Sequence, residues 1–250
     1  MDFDVIVVGS GISGGWAAKE FTEAGMKTLV IERGRPVEHM SDYEGEGQDP
    51  WMMPFRDDVD RKLADEKYPI QQKCYAFKDS TKHFFADDTV HPYSQEENKP
   101  FAWIRGNHLG GRSLLWHRQS YRWSEMDFAS NKRDGHGVDW PIRYKDLEKW
   151  YDHVEIFAGI SGTSEGLPQL PDGKFLPPIG FNCGEEAFGK MLAEKYDDRV
   201  LIPGRCAHLT EPTEVHLDLG RGTCQSRNQC QRGCSFGAYF SSQSATLPAA

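Results

Sequence analysis

The opening run FDVIVVGSGISGG constrains this chain more than any other stretch. Residues 3–9 are almost continuously apolar and end on glycine, the pattern of a strand buried on both faces of a parallel sheet. The spacing that follows predicts a helix over 12–25, with Ile12, Trp16, Ala17 and Phe21 recurring on one face and Gly25 at its C-terminal stop. KTLVIERG then predicts a second strand. Strand, helix and strand in this order form a β-α-β unit, and the fold class is α/β.

Gly9, Gly11 and Gly14 spell G-S-G-I-S-G where the first strand meets the helix. Gly9 permits the tight turn, Gly11 lets a pyrophosphate approach the backbone, and Gly14, helped by Gly15, lets the helix pack close to the sheet. Unpaired N–H groups and the helix dipole at this end hold phosphates. Ser10, Ile12 and Ser13 complete the turn. Glu32 ends the second strand, placed to accept hydrogen bonds from both ribose hydroxyls and to repel a 2′-phosphate. Arg33 follows it, on the adenine side or the surface. The alternative is a plain glycine-rich turn beside a surface glutamate.

Spacing alone does not separate NAD from FAD. Two features favour FAD: the motif starts within the first residues, and a second glycine-rich segment, RGNHLGGRS at 105–113, comes later. FAD is long and needs a second backbone site near its flavin. The adjacent glycines of this segment let N–H groups come close to a flat ring or a phosphate.

Elsewhere the signals are coarser. Residues 35–100 show no clear period and strong turn chemistry, which predicts short helices within a long wrapping insertion, DRKLADEKY among them. A helix is expected from Tyr144, with Leu147, Trp150, Tyr151 and Val154 on one face. GEEAFGKMLAEKY predicts a second amphipathic helix, and RVLIPGRCAHLT a strand and its exit. The net charge of −9 argues against nucleic acid or anionic lipid as the main partner. No apolar run approaches the roughly 20 residues of a transmembrane segment. The start lacks the basic region of a secretory signal and reads as a true amino terminus.

Six cysteines among 250 residues are too few for a disulfide scaffold. Cys74, Cys183 and Cys206 are scattered and read as small buried hydrophobes. Cys224, Cys230 and Cys234 are dense, in CQSRNQCQRGC. Three thiolates on such a loop suit a [3Fe–4S] cluster. Structural thiols, a zinc site recruiting Cys206 or His208, and a disulfide with one cysteine left over stay open. Arg227 and Arg232 beside the loop favour a negatively charged cluster or its thiolates, or are ordinary surface arginines.

DVIVVGSGISGGWAAKEF with TLVIERG, then RGNHLGGRSLLW, DWPIRYKDLEKWYDHVE and QRGCSFGAYFSSQSATLPAA together resemble the glucose–methanol–choline oxidoreductases, in the branch of FAD-dependent sugar dehydrogenases, with pyranose oxidases nearby. The resemblance covers nearly all of the chain and is weakest over 38–98. It implies a Rossmann-like FAD-binding domain with long insertions. Residues 1–35 would form the ADP-binding start, 36–100 the insertion and 101–135 the flavin-contacting segment. Residues 136–205 would begin the substrate domain, and 206–250 would carry the cysteine-rich loop back to the FAD domain.

The resemblance further implies FAD contact by Arg105, Gly106, Leu109, Gly110, Gly111 and Ser113. The position where some relatives attach flavin to histidine looks like Leu115, so non-covalent FAD is expected, with His108 and His117 as the rivals. Such enzymes oxidise a hydroxyl of a sugar, glycoside or polyol. Their catalytic histidine would fall beyond Ala250, so this chain reads as an amino-terminal portion whose sheet is incomplete without the C-terminal half. His117 is the one local acid–base candidate. Some relatives carry a [3Fe–4S] cluster at a similar cysteine segment and pass electrons to a cytochrome subunit. A small subunit and a cytochrome or other acceptor are therefore expected partners. A cytoplasmic location follows from the missing signal, and a periplasmic one from a signal-bearing partner. A non-catalytic FAD-binding electron-transfer subunit and an oxygen-using oxidase are the other readings.

Overall fold

A computed structural model describes residues 2–250. The β-α-β start forms as β1 (Val5–Val8), α1 (Ile12–Glu23) and β2 (Thr28–Ile31). The two strands are parallel, with Val5 opposite Thr28 and Val8 opposite Ile31. They are the whole of a small, incomplete sheet among the described residues. The expectation of a strand covered on both faces is not met: Val7 is buried, but Ile6 and Val8 are 59% and 83% exposed. Two strands and one helix supply too little surface to cover both faces.

The buried stripe of α1 also differs from the expected one. Gly15, Ala18 and Lys19 are buried, whereas Ile12 and Phe21 are exposed. Both stripes have helical period; packing chose the one with small residues. A Cβ on Gly15 would lie 2.3 Å from Thr246 Oγ1, so the segment Ser242–Thr246 presses directly on the helix. Lys19 is held there by Glu20 and Glu23 at 2.9 and 2.7 Å.

The chain divides into two compact units. The first takes the residues up to His117 and Gln225–Ala250; the second is Arg118–Cys224. The core of the first comes largely from the aperiodic insertion: Val37, Tyr43, Ala64, Ala76, Phe77, Phe84 and Phe85 pack with Leu114 and Leu115. Its one α-helix, α2 (Arg61–Lys67), is capped by the Asp60 side chain accepting from Leu63 N at 3.0 Å. Polar clamps replace regular ladders elsewhere. Asp57 accepts from Ser80 N and Oγ at 2.8 and 3.0 Å and pairs with Arg232 at 2.9 Å.

In the second unit α3 spans Tyr144–Ala158 and α4 spans Cys183–Lys195. The C-terminal turns of α3 are fixed by Arg122, whose guanidinium reaches Glu155 at 2.8 and 2.5 Å, Asp152 at 2.5 Å and Tyr144 Oη at 2.9 Å. Of the apolar face expected on α3, Leu147 and Tyr151 are half-buried, while Trp150 and Val154 stay exposed. Helix α4 buries no residue, although its start is capped by Asn182 accepting from Gly184 N and Glu185 N. The strand expected over 199–210 does not form. Cys206 makes only isolated bridges, to Gln119 and Ser161. Pro203 has no N–H to donate and Gly204 follows it, so no ladder propagates. The Arg205 side chain binds the Pro171 carbonyl at 2.6 Å instead.

Candidate functional site

The site grows from the exit of β1. Gly9 has φ +91°, and its N–H donates to Ile31 O at 2.7 Å, so the chain turns while still tied to β2. Gly11 is the N-cap of α1, at φ −63° and ψ −172°, with no side-chain cap and no acidic residue in the first turn. The first N–H groups of a 12-residue helix thus keep their partial positive charge uncompensated. A Cβ on Gly9 or Gly11 would meet nothing within 4 Å, whereas one on Gly14 would lie 1.9 Å from Gly9 O. Gly14 closes the turn, and Gly9 and Gly11 leave its outer side bare. Ile12 and Ser13 are exposed beside it.

Glu32 turns back to this loop. Its Oε2 accepts from Ser10 N at 2.9 Å and Ser10 Oγ at 2.6 Å, and its Oε1 from Gly34 N at 2.8 Å. Burial opposes its charge, but the Ser10 hydroxyl and the N–H groups of Gly34, Ser10 and Arg33 outweigh it, so its carboxyl sits below the usual range. Arg33 is exposed.

The second glycine segment lies against the first. Leu109 N donates to Arg35 O at 2.8 Å, and Arg35 N to Asn107 O at 3.2 Å. Gly110 N donates to Ser10 Oγ at 2.8 Å. A Cβ on Gly111 would come within 3.4 Å of Gly11 Cα, so the two bare stretches face each other. Gly110 and Gly111 have φ +81° and +51°, conformations that favour glycine. Ser113 is buried, accepts from Ser242 N at 2.9 Å and donates to Gln243 Oε1 at 3.4 Å.

Two of the sequence candidates stand in other roles. The Arg105 guanidinium is buried between Trp103 and Tyr93, 4.9 and 5.2 Å from their centroids, 3.6 Å from Asp88 and donating to His91 O. It clamps the insertion, while Gly106 bridges to Phe85. His117 is exposed, its ring 5.8 Å from Tyr75. His108 is buried, with Nδ1 2.7 Å from Leu109 O. Burial pushes it down to about 4, so it is neutral at pH 7. Leu115 belongs to the core.

Sequence reasoning missed Ser242, Gln243 and Thr246. The amide of Gln243 donates to Leu109 O, and a Cβ on Gly110 would lie 2.1 Å from it. The Ser242 and Thr246 hydroxyls are buried against Gly15 without a partner among the described residues. The signal was the run SSQSAT, small polar residues near an apolar stretch.

In the cysteine region no disulfide forms among the described residues. Cys224 closes the second unit, while Cys230 and Cys234 belong to the first. Among the described residues no three His, Cys, Asp or Glu side chains converge to hold a metal ion. Arg227 pairs with Glu46 at 2.7 Å and also hydrogen-bonds the Cys234 side chain, and Arg232 pairs with Asp57 at 2.9 Å. Glu46 also accepts from Ser235 N and Oγ at 3.0 and 2.5 Å.

The residues present fit FAD: an uncapped helix start, two facing glycine stretches and an ionised carboxylate at the end of β2. Among the described residues no helix is long and apolar enough to cross a membrane. The chain is 28% identical to a 2-methyl-1,2-propanediol dehydrogenase of Mycolicibacterium austroafricanum, over 68% of this chain and 26% of that protein. It is 23% identical to the fructose dehydrogenase large subunit of Gluconobacter japonicus, over 98% and 43%. It is 26% identical to the paromamine 6′-oxidase of Streptomyces fradiae, over 94% and 36%. The chain spans less than half the length of these relatives. The combination fits the glucose–methanol–choline-like sugar dehydrogenases that the sequence resembles. Residues 4–140, more than half the chain and containing both glycine segments, match the family described as FAD binding domain, and the chain belongs to that family.

Proposed function

We propose that this chain is the FAD-binding part of a flavin-dependent dehydrogenase of the glucose–methanol–choline type. It acts on a hydroxyl of a sugar, glycoside or polyol, and the electrons pass to a carrier. One observation carries the reading: two glycine stretches, joined through Ser10, face each other at an uncapped helix start. The amides of 11–14 would hold the diphosphate, Glu32 the ribose and the 109–113 segment the flavin side. When bound, FAD supplies the hydride acceptor that alcohol oxidation requires.

The residues of this chain bind and orient. The dipole of α1 favours the negative diphosphate, and the lowered carboxyl of Glu32 keeps it an acceptor in mildly acidic solution. The described residues supply no evident base: buried His108, at about 4, is a weak base at neutral pH, and His117 is exposed. The name of the Gluconobacter relative, a large subunit, supports a partner subunit. A [3Fe–4S] cluster on Cys224, Cys230 and Cys234 is left out of the proposal, because among the described residues no three His, Cys, Asp or Glu side chains converge to hold a metal ion.

An oxygen-using oxidase is the second reading, favoured by the paromamine 6′-oxidase match over 94% of the chain. Anaerobic titration of the flavoprotein with sugars, polyols and aminoglycosides tests both. Bleaching of the flavin bands that an artificial acceptor reverses and oxygen does not supports the dehydrogenase. Rapid reoxidation by oxygen supports the oxidase. Flavin that no alcohol reduces overturns both and leaves a non-catalytic electron-transfer subunit.

A further inference from the structure

Ser10 is fully buried in the middle of a motif whose other conspicuous members are glycines, and its hydroxyl bridges two segments a hundred residues apart. It accepts from Gly110 N at 2.8 Å and donates to Glu32 Oε2 at 2.6 Å. Its own N–H donates to the same oxygen at 2.9 Å. A hydroxyl has one proton to give, and here it goes to the carboxylate, which leaves the lone pairs for Gly110. We propose that Ser10 is a positioning residue: its hydroxyl couples the second glycine segment to the carboxylate of Glu32, so that the two halves of the FAD cradle are set by one side chain. The inference rests on the FAD reading above.

Removing the hydroxyl leaves the buried Gly110 N–H without its acceptor and takes one donor from Glu32. The second segment then loses its hydrogen bond to the first turn, and the carboxylate is held by the Ser10 and Gly34 amides alone. The charged and titratable groups around Glu32 are Arg33 and Arg35 on its own strand exit and His108 from the second segment, which feels the charges of Glu32, Arg35 and His83. Burial keeps His108 neutral down to about pH 4, and Glu32, held below its ordinary range, is already ionised in mildly acidic solution.

The test is an FAD titration of the apo form of the full chain, followed by flavin fluorescence at several pH values between about 4 and 8. Wild type, Ser10→Ala, Glu32→Gln and the double variant are compared. Ser10→Ala is expected to weaken FAD roughly tenfold at neutral pH and to move the acid limb of binding upward, as Glu32 loses a donor that favours its charged form. The double variant is expected to bind no more weakly than Glu32→Gln, because Ser10 acts through the carboxylate. Ser10→Thr, which keeps the hydroxyl, should restore the acid limb even where the added methyl lowers stability.

Parallel pH profiles with additive losses would show a merely structural serine and overturn the inference alone. A wild-type chain that binds no FAD at any pH overturns the FAD reading and the inference together. Should Ser10→Ala fail to fold, Ser10→Gly, which also removes the hydroxyl, carries the same decision through its profile and its cycle with Glu32→Gln.

Discussion

Gly11→Ala separates binding from folding. The new methyl would meet no atom within 4 Å, and φ −63°, ψ −172° is open to alanine. Alanine is a poorer N-cap than glycine by about 0.5–1 kcal/mol. Against this, fewer unfolded conformations return about 0.4–1 kcal/mol. The two nearly cancel, so the apo melting temperature should stay within about 4 °C of wild type for a chain of this size. FAD meets a different situation. Its diphosphate must approach the first amides of α1 to hydrogen-bond distance, about 3 Å, and the methyl occupies that space. Losing one or two charge-assisted bonds of about 1.5–3 kcal/mol each, partly offset by adjustment, amounts to about 2–4 kcal/mol. That is a roughly 30- to 700-fold rise in Kd. Flavin-fluorescence titration and thermal unfolding of the apo chain, run side by side, read both quantities. Two results would refute the reasoning: a Kd within about threefold of wild type, or a loss of binding that only accompanies unfolding.

Gly14→Ala is the complementary case: a Cβ 1.9 Å from Gly9 O cannot be accommodated without backbone movement, and denaturant unfolding should show a loss of about 2–4 kcal/mol. Arg122→Met strands the buried Glu155 carboxylate and should destabilise the 118–224 unit by about 3–5 kcal/mol; Glu155→Gln added to it should recover part of that loss. Acid should destabilise the chain through His108. The unfolded imidazole protonates below its ordinary 6.5 and the folded one only near 4, so the unfolded state binds more protons in between and stability falls as pH drops through that window. The full effect is about 3 kcal/mol, and His108→Gln should flatten the urea-midpoint profile by that contribution; an unchanged slope would contradict the buried neutral histidine. Iron and sulfide analysis of anaerobically purified chain decides the cluster expected from the sequence: stoichiometric iron that Cys230→Ser abolishes supports it, and iron-free chain contradicts it.

The β-α-β start was legible because its information is local. A seven-residue apolar run, a glycine turn and a helical period fall within the first quarter of the chain, and the observed elements lie inside the expected bounds. The helices at 61, 144 and 183 were equally local, carried by capping residues and periodicity. The burial of those elements was not legible. Which stripe of α1 packs depends on Ser242 and Thr246, more than two hundred residues away, and nothing in residues 12–23 announces them. The core of the first unit comes from an insertion without period, because its burial is organised by side-chain clamps such as Asp57 with Ser80 and Arg232, not by a repeating backbone. In the site, the glycines could be read from backbone requirements alone. The coupling of Ser10 to Gly110 could not, since a serine within a glycine turn is unremarkable until its partner is in place. The carboxylate partners of the arginines beside the cysteines, Glu46 and Asp57, could not be read for the same reason: they lie in the part of the chain with the weakest pattern.

The central claim concerns where a diphosphate rests. A crystal structure of the chain soaked or grown with FAD tests it most directly. The account predicts diphosphate oxygens against the first amides of α1, on the bare outer side of the turn at Gly11, with the ribose hydroxyls at Glu32. FAD bound elsewhere, or crystals that stay colourless at saturating flavin with this turn open to solvent, would contradict it.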